Sequence, residues 1–411
     1  MLASRFRKIL FSLAVLATTA VFVTPSQAVP AFARQTGKAC ASCHFQHYPA
    51  LNDYGRDFKA SGFVDMGKQG TVKGTKDNEL SIPEMLNASV FLKVRHQQSN
   101  GSDLPDTPTT ASGQWQAPDE FALLLGGRVA PNIGFLIEAQ LIDGAAPTLA
   151  GFKMPMIYNV AGKKAGIIPF TTDALGVAYG FELLNTGAVR NVRVAEHRNE
   201  TSAQQYIGTA TGAVGAAFVV SDASWFVNFS RWAPNHIEGL AGVSLSSNYF
   251  RAAYMPAIGD WDVGIGGQMW SGGSNGANTN AWALDAQMQG VFMNRPVGLY
   301  LTHANAEAPK AGETNLFNTA PNAKTATTIM LEYGIIPNKA TLQLAYRSAD
   351  NGKKVDSGDN AVTFGGTYQL AQNVQLQLQH SNRTKAGNNG RYEGSSKPGD
   401  ALTTFMLSAG F

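Results

Sequence analysis

From about Leu80 to its C-terminus the chain repeats with a period of two. In TLQLAYR, Leu342, Leu344 and Tyr346 alternate with Gln343, Ala345 and Arg347; in NVQLQLQH, Val374, Leu376 and Leu378 alternate with Gln375, Gln377 and Gln379. Successive side chains of a strand point to opposite faces, so each stretch reads as a strand with one apolar and one polar face. Long amphipathic helical periods are few, charged residues make up only 15% and glycine is abundant at 43. The body of the protein is therefore expected to be all-β.

A soluble sandwich would show the same alternation, so the connections have to arbitrate. Short ones, such as APN at 130–132, IIPN at 335–338 and LAQN at 370–373, join neighbouring strands. Between those hairpins lie long polar stretches: QQSNGSDLPDTPTTASGQ, SGGSNGANTN, ADNGKKVDSGDN and RTKAGNNGRYEGSSKPGD. Alternate tight turns and extended loops are the mark of an outer-membrane antiparallel β-barrel. A sandwich has no reason to keep that asymmetry. The last strand, ALTTFMLSAGF, puts Ala401, Thr403, Phe405, Leu407, Ala409 and Phe411 on one face and ends on an aromatic. It is similar to the C-terminal signal of outer-membrane barrel proteins. At about 20 residues per strand with its share of loop, residues 79–411 hold about 16 strands, with 14 and 18 open. The inward Gln, Asn, Thr and Arg positions would give the lumen a water-compatible lining.

The other end reads differently. Arg5, Arg7 and Lys8 precede an apolar run from Ile9 to about Val23, and Ser26-Gln27-Ala28 supplies a small-x-small cleavage site. Residues 1–28 are expected to be a signal peptide; the apolar run is short for a membrane-spanning anchor. Removing it leaves 29 of the 32 basic residues against 29 acidic ones. Near-neutrality gives no reason to expect nucleic acid or an anionic membrane surface as partner.

Residues 29–78 are expected to form a small helical unit and a linker. In YPALNDYGRDFKASGF, Pro49 suits a first helical turn, Leu51, Tyr54 and Phe58 share a face, and Gly62 is a stop signal. TVKGTKDNE, residues 71–79, is a polar linker. Just upstream stand the two cysteines of the whole chain, in Cys40-Ala-Ser-Cys43-His44. Cys-x-x-Cys-His is the attachment pattern of c-type haem. One turn of chain presents Cys40 and Cys43 to the two haem vinyl groups, and His44 follows as the proximal ligand to the iron. Attachment takes place outside the cytoplasm, which the signal peptide satisfies. A Cys40–Cys43 disulfide is the simplest rival. Zinc would need a second ligand pair, and a thioredoxin-like pair would need a surrounding βαβ pattern.

For the distal iron position Met66 is the candidate, being far enough along the chain to fold across the other haem face; packing against the porphyrin is its ordinary alternative. Met85 and His96 are further candidates. His47, three residues after His44, is expected at the surface or at the haem edge. Arg34 and Arg56 are candidates to neutralise haem propionates, or ordinary solvated charges. His197, His236, His303 and His380 lack ligand spacing. About 40 residues bury too little apolar surface to fold firmly alone. The segment is therefore expected to plug or cap the barrel lumen.

The run PAFARQTGKACASCHFQHYPALNDYGRDFKASGF resembles the N-terminal signature of the fused monohaem cytochrome–porins, outer-membrane iron oxidases of iron-oxidising bacteria. The match comprises Pro30, Phe32 to Gly37, the Cys40/Cys43/His44 site, Pro49, Leu51, Gly55-Arg56, Phe58-Lys59 and Gly62, with Phe63 where such proteins often have Tyr. It spans about a tenth of the chain. The resemblance implies one covalent haem c, oxidation of extracellular Fe(II) there with no catalytic residue beyond the haem, and transfer of the electron to a periplasmic cytochrome or other carrier. It assigns no iron site; Asp103, Asp106 and Glu120 are loop acids that would attract Fe(II) or simply be solvated. Two rivals remain: a haem-containing porin for passive diffusion, and a conduit that exports electrons. A single haem can relay electrons past a hydrocarbon layer about 25 Å thick only if it is held within that layer, as a lumen plug would be.

Overall fold

In the computed structural model, residues 31–73, 81–102, 113–141, 148–173, 180–187, 195–235, 244–274, 276–386 and 399–411 are described. The expected signal peptide, most of the expected linker, and Asp103, Asp106 and His236 lie outside them.

One antiparallel sheet of 16 strands closes on itself. The strands are β1 (Ala88–Ser99), β2 (Gln114–Ala130), β3 (Ile133–Gln140) and β4 (Thr148–Lys153, resuming at Met156–Val160). Then come β5 (Lys163–Thr172), β6 (Ala213–Asp222), β7 (Trp225–Ala233) and β8 (Ser247–Tyr254, resuming at Ala257–Ile258). β9 (Trp261–Ser274), β10 (Ala281–Phe292), β11 (Arg295–Ala306) and β12 (Lys324–Ile336) follow. β13 (Ala340–Asp350), β14 (Asp359–Ala371), β15 (Val374–Ala386) and β16 (Ala401–Gly410) complete the wall. Each pairs with its sequence neighbour, and the seam is β1 on β16, from Phe91 opposite Gly410 to Ser99 opposite Leu402.

The alternation seen in the sequence runs inside out relative to a soluble protein. Leu342 and Leu344 are 56% and 55% exposed, whereas Gln343 and Arg347 are 5% and 0% exposed. Phe405 and Phe411 also face outward, with Thr404, Met406 and Ser408 inward. An apolar exterior on a closed sheet, with every ladder paired, is the solution that lipid imposes on strands. The protein is a barrel of the bacterial outer membrane. Among the described residues no helix is long and apolar enough to cross a membrane.

Turns of two or three residues, at 131–132, 161–162, 223–224, 293–294, 337–339 and 372–373, gather at one rim, together with the start of β1 and the end of β16. This is the periplasmic side in an outer-membrane barrel, and the long connections lie opposite. The described parts of one of those, residues 180–187 and 195–212 between β5 and β6, lie within the lumen. They include α3 (Arg198–Thr201) and α4 (Ala203–Ile207), and most of their residues are buried. Inward-facing wall residues hold it: Arg251 bridges Glu182 and Asp285, Arg383 pairs with Glu200, and Arg347 reaches the Asn199 carbonyl. His197 accepts or donates to Ser381 and Thr404 at 2.6 and 2.7 Å, and burial pulls its pKa down to about 4. Nothing in the period-two pattern announces this inner loop.

Residues 31–73 enter the lumen at the short-turn rim. They carry α1 (Ala31–Thr36) and α2 (Asp53–Ala60). The expected helix is present but begins later than Pro49. Asn52 caps it by accepting from the Gly55 amide at 2.9 Å, which fixes the start at Asp53 and leaves Pro49 and Leu51 in the preceding loop. Gly62, at φ +77°, ends the turn after it.

Candidate functional site

The cysteine turn is a single 3₁₀ turn, Cys40–Ser42, with the His44 amide bonded to the Cys40 carbonyl at 3.0 Å. Cys40, Cys43 and His44 thus lie within one turn, and all three border a cavity with about 370 Å³ of water-accessible space. Burial pushes both thiols above their ordinary pKa. The His44 Nδ1 lies 3.1 Å from the Ala50 carbonyl oxygen. Donation from Nδ1–H to that oxygen places the lone pair on Nε2, the usual arrangement of a metal-ligating imidazole.

The loop that carries His44 is short and closed. The Phe45 amide donates to the Ala50 carbonyl at 2.9 Å and the Asn52 amide to the Cys43 carbonyl at 3.0 Å. Helix α2 packs directly on the cysteine turn because residue 55 is glycine; a Cβ there would run into the Cys43 carbonyl oxygen. Phe32, Phe58 and Phe63 form the core of the segment, with ring centroids 4.8–5.7 Å apart. Such pairs contribute about 0.5–1.5 kcal/mol each beyond their buried area.

Two contacts tie this loop to the barrel. On β12, fully buried Glu332 accepts from Gln46 at 3.2 Å, Gln343 at 2.8 Å and His47 Nε2 at 2.8 Å. His47, expected at the surface or at the haem edge, is instead buried and locked to the wall, and it does not border the cavity. Burial alone would lower its pKa; the Glu332 carboxylate and its hydrogen bond outweigh this and raise it above the ordinary value. On the other side Asn185, in the inner loop, bonds both the amide and the carbonyl of Leu51, at 2.8 and 3.1 Å. Gln35, wholly buried, fastens α1 by donating to the Phe63 and Asp65 carbonyls and accepting from the Arg128 amide.

The rest of the cavity is barrel wall and inner loop. Leu124, Leu136 and Phe91 supply apolar surface, and Lys93, Lys153 and Arg198 bring positive charge, with Lys38 and Lys59 from the segment itself. Lys93 pairs with Glu120 and Glu196 at 2.8 and 3.1 Å. Glu120, expected in an outer loop, instead lies on β2 and faces the cavity, because that strand begins at Gln114.

The other residues singled out from sequence fall elsewhere. Met66 is buried at 9% exposure but does not border the cavity, and Met406 of β16 is the methionine that does. Arg34 donates to the Ala88 carbonyl, and Arg56 pairs with Asp262 and Asp53, neither reaching the lining. Met85 is exposed, and His96 packs against exposed Trp115 with the two rings tilted. Lysines in place of arginines around the cavity were not readable, because nothing in a lone Lys93 or Lys153 on an alternating strand sets it apart. Among the described residues no group of three or more His, Cys, Asp or Glu is arranged to hold a metal ion.

No protein-family model matches the sequence, and no curated protein does. Solved outer-membrane barrels are similar in form. The outer membrane channel DcaP of Acinetobacter baumannii is 13% identical, over 79% of this chain and 97% of that one, with a TM-score of 0.47. The anion-selective porin from Comamonas acidovorans is 11% identical over 80% and 99%, with a TM-score of 0.47. OmpT of Vibrio cholerae is 10% identical over 81% and 100%, with a TM-score of 0.42. Likeness of this degree says nothing about what the lumen carries.

Proposed function

We propose that this barrel is the housing of a cytochrome–porin. Haem c would be joined to Cys40 and Cys43, with His44 as the iron ligand, and extracellular Fe(II) would be its electron donor. The observation that carries the reading is that two thiols and an imidazole, one turn apart, border a single cavity inside the barrel. The donor set fits the group. Each Sγ–H would add across a vinyl double bond without net oxidation, and the histidine has its Nδ1 proton engaged by Ala50. When bound, haem supplies a one-electron redox centre whose potential the protein tunes through ligand, burial and hydrogen bonding.

The chain's own residues do the rest. Phe58, Phe63, Leu124 and Leu136 would give the porphyrin apolar surface to pack against. Lys38, Lys59 and Lys153 would set positive charge beside it, suited to two propionates, while Lys93 is held by Glu120 and Glu196. Glu332 and Asn185 hold the histidine loop against the barrel. Ala39, Ala41 and Ser42, exposed at the short-turn rim, leave an edge of the site facing the periplasm, where a soluble carrier would collect the electron.

The test is to add Fe(II) to the oxidised, purified protein and follow the haem α-band. Reduction in the wild type and none in His44→Ala is the expected result. An unchanged spectrum at every pH tried rejects iron as donor, and a colourless protein rejects the haem as well. A second reading rests on the barrel itself. A 16-stranded wall with a polar inner face is the form of a diffusion porin. Large haem-independent conductance in liposomes would favour it. Electron export is the same device run backwards, and the measured midpoint potential against Fe(III)/Fe(II) separates the two directions.

A further inference from the structure

We infer that Asn185 is the positioning residue for the His44 imidazole, so that a loop of the barrel, rather than residues 31–73 alone, sets the orientation of that ring. The inference rests on the reading above, in which His44 ligates haem iron. Four links carry it. Gln287 on β10 accepts from the Asn185 amide at 2.7 Å, which seats the inner loop on the wall. The Asn185 side chain then grips Leu51 at both backbone groups, accepting from its N–H and donating to its C=O. Leu51 is bridged to His44 across the small loop. Between them the Ala50 carbonyl, fixed by its neighbour, accepts from both the Phe45 amide and the His44 ring.

Asn185 is 1% exposed and Ala50 is 0% exposed, so water cannot take over either bond without entering the packed lumen. A carboxamide is the side chain that serves here: it offers one acceptor and one donor in a fixed plane, matched to one peptide's N–H and C=O. Loss of the grip would let residues 50 and 51 turn, and the Ala50 oxygen would leave the ring. A histidine whose second nitrogen loses its acceptor is a weaker, less oriented ligand.

The test uses the full chain with its haem. Asn185→Leu removes both bonds at similar volume. Asn185→Asp keeps the acceptor for the Leu51 amide and removes the donor, and it stands in should the leucine variant not fold. Thr186→Val, which cuts the neighbouring bond to Asp285, controls for general loosening of the inner loop. In Asn185→Leu, covalent haem is expected at the wild-type ratio. Its reduced-to-oxidised ratio at fixed poise should change about tenfold, or 59 mV for a one-electron couple. The Asp variant should fall between, with Thr186→Val at the wild-type value. Amide exchange should quicken at Leu51 in Asn185→Leu and at Phe45 in both Asn185 variants, and at neither in Thr186→Val. A wild-type potential in haem-loaded Asn185→Leu overturns the positioning role and leaves the proposed function intact. Wild-type protein lacking covalent haem, seen as a blank pyridine haemochrome before any variant is made, overturns the proposed function and this role with it.

Discussion

The wall of this protein and its filling obey different rules. The wall is repetitive: its outward Leu344 could change places with Leu376 or Leu378 and meet much the same lipid. The filling is made of single, unrepeated contacts: His47 with Glu332, Asn185 with Leu51, Gln35 with four partners, Arg251 between Glu182 and Asp285. The wall gains its stability from many equivalent ladder bonds and an apolar exterior, so one altered residue costs little beyond its own site. In the filling each buried polar group has few donors or acceptors, and loss of one leaves the others stranded.

That contrast can be broken or sharpened by mutation. The largest effect is expected at the thiols and the imidazole. Cys40→Ala with Cys43→Ala, or His44→Ala, should remove the Fe(II)-driven α-band change completely while the barrel keeps its heat-modifiable electrophoretic mobility. Loss of the folded barrel band would mean that wall and filling are not separable.

Next comes Glu332→Gln. Breaking a buried pair by removing one partner costs about 3–5 kcal/mol, so protease cleavage within residues 44–52 should accelerate sharply. The pair also carries a pH signature. His47 has a folded pKa raised above its ordinary value of 6.5. Its contribution is therefore complete below about pH 6.5 and is lost as pH rises through the raised value. Protection of the loop should decline on the alkaline side in the wild type, whereas in Glu332→Gln, where only burial acts on His47, it should decline on the acid side instead; equal profiles would sink the assignment.

On the wall, Leu344→Arg should cost about 2–4 kcal/mol if the residue lies near mid-bilayer, measured by urea unfolding from vesicles. A neutral result would place Leu344 away from lipid. An effect confined to the filling is expected for Gly55→Ala, whose Cβ would meet the Cys43 backbone carbonyl. Overpacking costs about 1–3 kcal/mol, and it should appear as lower thermal stability of the haem spectrum with the barrel transition unmoved.

What the sequence made legible follows the same division. Period-two alternation and the rhythm of short and long connections carry the barrel and its inside-out polarity, because Gln375, Gln377 and Gln379 can share a buried face only around a polar lumen; chain length suggested about 16 strands and left 14 and 18 open. The cysteine turn was legible because its spacing is set by local chain geometry. Tertiary partners were not. Glu332 reads as one more inward polar residue of β12, and only the fold brings it to His47, 285 positions earlier. The inner loop has no period to betray it. Pro49 misled about the start of α2 because a cap at Asn52 is a stronger signal than a proline three residues before it. Met66 was chosen by distance along the chain, a measure blind to which methionines the wall itself supplies, such as Met406.

The cavity bordered by the cysteine turn sits low in the cylinder, reaching up β1 only to Lys93, while that strand continues to Ser99. Six further residues make about 20 Å of strand above the site. On the proposed function, a collector in the periplasm would rest against the doorstep of the site, whereas a donor outside the cell would have to reach down past the inner loop. Traffic through such a vessel would be lopsided by construction: departure a matter of touching, and arrival a matter of reach.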